Sequence, residues 1–281
     1  MTLFLNFRAS AVAGPIAGPY LLEGDGMTSP PSLAVIDWAR VPSIIAGKNL
    51  LFVAHGFNVN YQQGAWSLGL LGQHLAFDSP NLFIGVLWPG DAWIPVIDYP
   101  FEGNVAIDCG QRLAAFCETW CAQAQSLSFA SHSLGARVIL EAIGDLRRTA
   151  RLACVAAGAV NRDCFDAEYS GDLRNLREIC GLSSREDNVL KIAFPIGDPF
   201  ADLLHDDHTP FRAALGYDGP TSPAPDEVAM PWQIPDAQCY RHSDYLPSAG
   251  APSPAPGEPP KWTRVAEFLR NAFLNLPQRW P

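Results

Sequence analysis

The sequence predicts an α/β fold, a mostly parallel sheet with helices on both faces. Continuous apolar runs such as Leu50-Leu51-Phe52-Val53-Ala54 lack the inside–outside alternation of a half-exposed strand, as strands covered on both faces do. Segments of helical period separate these runs, and strands alternating with helices pair in parallel. At 281 residues and 48% hydrophobic, the chain can bury one large core, so a single domain over 1–281 is expected.

The elements follow in order. Residues 1–48 are rich in glycine and proline and hold one expected strand, at 3–7. The apolar run ending at Ala54 is the next strand, and a helix follows over 62–75. A strand at 82–86 and a long helix over 104–124 lead to a strand at 127–130. Val138, Ile139, Ala142, Ile143 and Leu146 then recur at helical spacing. Further strands are expected at 152–157, 177–182 and 237–240. Between 191 and 235 the pattern dissolves into Pro, Gly and Asp with apolar islands at Phe194, Phe200, Leu203, Leu204, Phe211 and Leu215. Such a stretch is uncommon inside a compact domain, and its islands need apolar contact, so a lid or pocket wall is expected there. Residues 247–260 are loop by composition. Trp262, Val265, Leu269, Phe273 and Leu276 form one stripe of a closing amphipathic helix.

Three motifs carry chemistry. In Ser131-His132-Ser133-Leu134-Gly135 a short apolar strand turns through a serine into a helix. That is the arrangement of a nucleophile elbow, which lifts a hydroxyl above the sheet edge and needs small residues two positions either side. Gly135 meets the need, and Ser131 stands where glycine is usual. Earlier, an apolar strand ends abruptly in His55-Gly56-Phe57-Asn58, and the strand at 82–86 ends in Leu87-Trp88-Pro89-Gly90. His55 reads as a tautomer-fixed histidine bracing its own loop.

These motifs, in this order, resemble the α/β-hydrolase superfamily of serine hydrolases. The likeness is to a bacterial family of unknown function with an H-G-F-N run, a W-P pair and an A-H-S-M-G elbow, and it covers roughly residues 49–245. It implies the α/β-hydrolase fold, with Ser133 as nucleophile and the backbone N–H groups of Phe57 and Leu134 as oxyanion donors. The implied chain order is serine, acid, histidine. Of the three histidines after Ser133, His242 follows the final expected strand, where the fold places its base, while His205 and His208 lie in the insertion. Asp187 is the expected acid, since Ser184-Arg185-Glu186-Asp187-Asn188-Val189-Leu190 resembles the family's S-x-x-D-x-x-L run. Glu186 is its first competitor, and Asp163 and Asp166 are the second. Trp88 and Tyr99 are candidates to line the substrate pocket, though apolar packing explains them equally.

The expected activity is therefore cleavage of a carboxylic ester or related acyl bond in a small-molecule substrate, with no cofactor and no metal. Thioester, lactone or amide cleavage by the same triad stays open, as does a non-catalytic binding protein on this scaffold. His205-Asp206-Asp207-His208 also invites a metal reading. Lys and Arg number 19 against 29 Asp and Glu, a net charge of −10, which argues against a nucleic-acid partner. No apolar stretch reaches the roughly 18–20 residues of a membrane span. The start does not read as a signal peptide. Seven cysteines without a C-x-x-C pair read as free thiols, so a cytoplasmic location is expected. The oligomeric state is left open.

Overall fold

The apolar runs pair side by side. In the computed structural model, which describes residues 2–9, 16–91, 99–192, 213–221, 232–249 and 254–277 but not the side chains of 99–103 and 172, they form one sheet. Its strands are β1 (Thr2–Arg8), β2 (Ile16–Asp25), β3 (Ser32–Val35), β4 (Asn49–Ala54), β5 (Asn81–Leu87), β6 (Ser126–His132), β7 (Leu152–Ala156) and β8 (Ile179–Leu182). The eight-stranded order is β3-β2-β1-β5-β4-β6-β7-β8. β1 runs parallel to β5, and every pairing from β5 through β8 is parallel; only β2 and β3 run antiparallel to their neighbours.

The connections set the layers. The chain passes from β4 through α2 (Tyr61–Leu75) leftward to β5, then through α3 (Tyr99–Trp120) rightward past β4 to β6. Right-handed crossovers in opposite directions lie on opposite faces, which separates α2 from α3. A second rightward crossover, α4 (Gly135–Asp145), packs on α3. α1 is Val41–Ile45 and α5 Asn188–Ile192; α6 is Leu215–Asp218; α7, the amphipathic Lys261–Phe273, packs on α2. Both faces of β4, β6 and β7 are thereby covered, and their residues are buried almost throughout, as the lack of alternation requires.

Four expectations are corrected. β2 and β3 are missing from the expected strands: Gly18-Pro19 interrupts the pattern of β2, and β3 is a mostly exposed four-residue edge strand beside Pro30-Pro31. Pro19 is tolerated since β3 pairs only with Leu22–Asp25 of β2, leaving that end as sheet edge. Residues 237–240 are not a strand: Asp236–Gln238 is a 3₁₀ turn closed by Cys239 with φ 50°. Leu276 lies beyond α7 and is exposed. Leu215, read as a lid island, is a core residue whose N–H donates to the Val160 carbonyl at 2.8 Å. Phe194, Phe200, Leu203, Leu204 and Phe211 lie outside the described residues.

Candidate active site

Ser133 follows β6 with φ 54°, a left-handed conformation costly for any residue but glycine. The elbow is pinned at its backbone. The Ser133 N–H donates to the Ala156 carbonyl at 3.1 Å, and its own carbonyl accepts from Ala136 at 3.0 Å and Ala159 at 3.1 Å. A side chain at Gly135 would place Cβ 2.5 Å from the His55 carbonyl oxygen, which is why α4 must start on glycine beside β4. Ser131, the unusual flank, is buried within β6.

Asp187 is brought to this edge by the turn after β8. Ser183 donates from its backbone to the Trp232 carbonyl at 2.6 Å, and Ser184 Oγ donates to the Tyr240 carbonyl at 2.8 Å. These bonds tie the acid's loop to the segment that carries His242. The Asp187 carboxylate is fully buried. Its Oδ1 accepts from the Val189 and Leu190 N–H groups at 3.1 and 3.0 Å, capping α5, while Oδ2 stands 2.8 Å from His242 Nδ1. His242 Nε2 lies 2.9 Å from Ser133 Oγ. A carboxylate at Nδ1 makes that nitrogen the donor and leaves Nε2 to accept from the serine hydroxyl. With both ring nitrogens occupied, Glu186, Asp163 and Asp166 have no place on His242; Glu186 is exposed. His205 and His208 lie outside the described residues, as does the metal reading of their motif.

Sequence reasoning missed His132. It is half-buried at the cavity wall, and its Nε2 lies 2.9 Å from the His242 carbonyl oxygen, so the ring donates there and holds the neighbouring histidine's backbone. The two rings approach with centroids 4.7 Å apart. Burial, then the nearby His242, holds the His132 pKa well below the ordinary value. The elbow motif contains this histidine, but its partner is a main-chain atom 110 residues along the chain, so the motif alone does not disclose the contact.

On the other flank the loop after β4 runs Gly56-Phe57-Asn58. A Cβ on Gly56 would stand 2.9 Å from Ser133 Cβ, so only glycine brings this backbone against the serine. Phe57 follows it, and Leu134 caps α4. His55 is buried and its Nδ1 lies 2.8 Å from the Gly56 carbonyl oxygen, the loop-bracing arrangement expected of it. Burial first, and then the Arg8 charge, lowers its pKa to about 3, so the ring is neutral. Trp88, considered for the pocket wall, sits beneath it: fully buried, it stacks on His55 at 5.6 Å and donates its indole N–H to the His55 carbonyl at 2.7 Å. The Tyr99 side chain lies outside the described residues.

Ser133 opens into a cavity of about 1120 Å³. Phe57, Trp66, Leu190, Ile192 and Leu246 are among the residues that line it, and none of the described lining residues is Asp, Glu, Lys or Arg. Among the described residues no cluster of three or more His, Cys, Asp or Glu could hold a metal ion, and no helix is long and apolar enough to cross a membrane.

No curated protein matches the chain. Residues 42–203, more than half of it, match the family described as "Alpha/beta hydrolase of unknown function" (DUF900). The mostly parallel sheet with its helices agrees with that description, and the chain belongs to this alpha/beta-hydrolase family.

Proposed function

We propose that the protein is a serine hydrolase cleaving a carboxylic ester or related acyl bond. The observation that carries this reading is the pair of hydrogen bonds joining Asp187 to His242 at 2.8 Å and His242 to Ser133 at 2.9 Å. A serine hydroxyl is a weak nucleophile until a base takes its proton, and the base needs a partner that fixes its tautomer. Ser133 Oγ attacks the acyl carbon while its proton passes to His242 Nε2. The imidazolium formed is stabilised by the Asp187 carboxylate, and it returns the proton to the departing alcohol. Water then enters by the same route and hydrolyses the acyl-enzyme. The N–H groups of Phe57 and Leu134 hold the oxyanion in both halves.

The size of the cavity, its apolar lining residues Phe57, Trp66, Leu190, Ile192 and Leu246, and the lack of Asp, Glu, Lys or Arg among its described lining residues support a neutral substrate with an apolar acyl or alcohol group. Ester, thioester, lactone and amide share this acyl-transfer machinery, and an activated ester is the first substrate to try. Against a purely binding role stands the left-handed φ at Ser133, a strain that a binding wall has no need to keep. Free thiols at all seven cysteines, including Cys154 and Cys180 opposite each other in β7 and β8, support a cytoplasmic location.

A panel of p-nitrophenyl esters, an aryl thioester and a lactone tests the reading. Turnover of at least one class by the wild type, abolished in Ser133→Ala, is expected. No turnover of any class by folded wild-type protein would leave the binding-protein reading standing.

A further inference from the structure

Arg8 is 1% exposed, a charged side chain buried at the end of β1 and outside the family-matched residues 42–203. Burying a guanidinium is costly unless every direction of its charge is met. Its Nη1 pairs with the Asp91 carboxylate, and its Nη2 donates to the Val59 carbonyl at 2.7 Å. Those two acceptors belong to different loops. Val59 continues Gly56-Phe57-Asn58 along the cavity wall, and Asp91 continues Trp88-Pro89-Gly90. The loops also meet directly, through the Asn58 N–H donating to the Gly90 carbonyl at 2.6 Å. Asn58 itself has φ 56°, a left-handed turn that asparagine adopts more readily than most side chains. The strand supplying Arg8 is registered against the one leading to Asp91, since Leu5 lies opposite Val86 and Asn6 opposite Leu87.

We propose that Arg8 is a positioning residue for the oxyanion loop: by clamping the Val59 carbonyl and Asp91 together, it sets the backbone of Gly56–Val59 against Ser133. The proposal rests on the serine-hydrolase reading above. It makes β1, which the family match does not reach, part of the catalytic apparatus. The planar fork matters here. A guanidinium reaches two acceptors in fixed directions at once, whereas a lysine ammonium is a point charge on a flexible stem.

Arg8→Lys keeps a positive charge opposite Asp91 and loses the fork. With an ester that the wild type turns over, kcat should fall roughly 100-fold, the cost of a small misplacement at a reacting centre, with KM changed less than about threefold. Binding of a trifluoromethyl ketone, which mimics the tetrahedral intermediate, should weaken in parallel with kcat/KM, while binding of the product acid should not. A merely structural arginine would move neither ratio in this way. If Arg8→Lys does not fold, the double variant Arg8→Gln/Asp91→Asn removes the buried pair whole and should show the same kinetic pattern. Wild-type kcat and ketone affinity in whichever variant folds, or equal weakening of ketone and product acid, overturns the proposal. Absence of wild-type turnover instead points to failure of the serine-hydrolase reading.

Discussion

The two flanks of Ser133 are built by different means. On one, side chains do the joining: Asp187 Oδ2 to His242 Nδ1 and His242 Nε2 to Ser133 Oγ, across 55 and 109 residues of chain. On the other, the proposed oxyanion donors are main-chain amides, and the nearby His55 and Trp88 side chains bond to backbone carbonyls of the same loop. Each flank carries one neutral histidine that donates to a backbone carbonyl: the half-buried His132 to that of His242, the buried His55 to that of Gly56. Proton transfer needs a particular chemical group, so it restricts which residue can stand at a position. Oxyanion binding needs only an N–H that every residue but proline owns, so it restricts where the backbone goes.

That difference predicts a ranked series in kcat. His242→Ala should cost about 10⁶-fold, like loss of the nucleophile, because members of a triad act as a unit. Asp187→Asn should cost roughly 10⁴-fold, since the amide supports the wrong tautomer. Gly56→Ala, which sets a methyl group against Ser133, should cost about 100-fold by displacing the loop. If Gly56→Ala is as damaging as His242→Ala in folded protein, the two flanks are not separable.

A smaller effect concerns acid stability. The folded pKa of His55 is lowered to about 3 and that of His132 lies well below the ordinary value. In the unfolded chain both titrate near 6.5. Below that pH the unfolded state binds more protons, so each ring makes stability fall as pH drops below about 6.5, by up to about 1.4 kcal/mol per pH unit, and for His55 the loss continues to about pH 3. His132→Gln removes one titrating group while its amide can still donate to the His242 carbonyl. Urea unfolding at pH 7 and pH 5 should show a smaller loss of stability in this variant than in the wild type. An equal loss would mean that His132 is not held neutral in the fold.

The same division explains what the sequence discloses. β4 to β8 are legible because burial on both faces demands unbroken apolar runs, and the elbow because small residues must flank the serine. Asp187 and His242 stand in the chain order expected of such a triad, and the structure joins them. The contacts that Arg8 makes behind the 56–59 loop are not legible. Arg8 looks like any arginine ending a strand until Val59 and Asp91, 51 and 83 residues on, are found at its fork. Trp88 attracts notice as half of a motif, yet its indole N–H serves the His55 carbonyl from below the cavity. β2 is hidden in the sequence by Gly18-Pro19, a break that an edge position tolerates.

The most direct test of the account is to map the adduct formed with a fluorophosphonate. Such a reagent reports an activated serine whatever the natural substrate is. The account predicts one phosphonyl group on Ser133, found by mass spectrometry of the digested protein. Labelling should be absent in Ser133→Ala and much slower in His242→Ala. An adduct on Ser131, or none in folded wild-type protein, would contradict the assignment of Ser133 as the nucleophile.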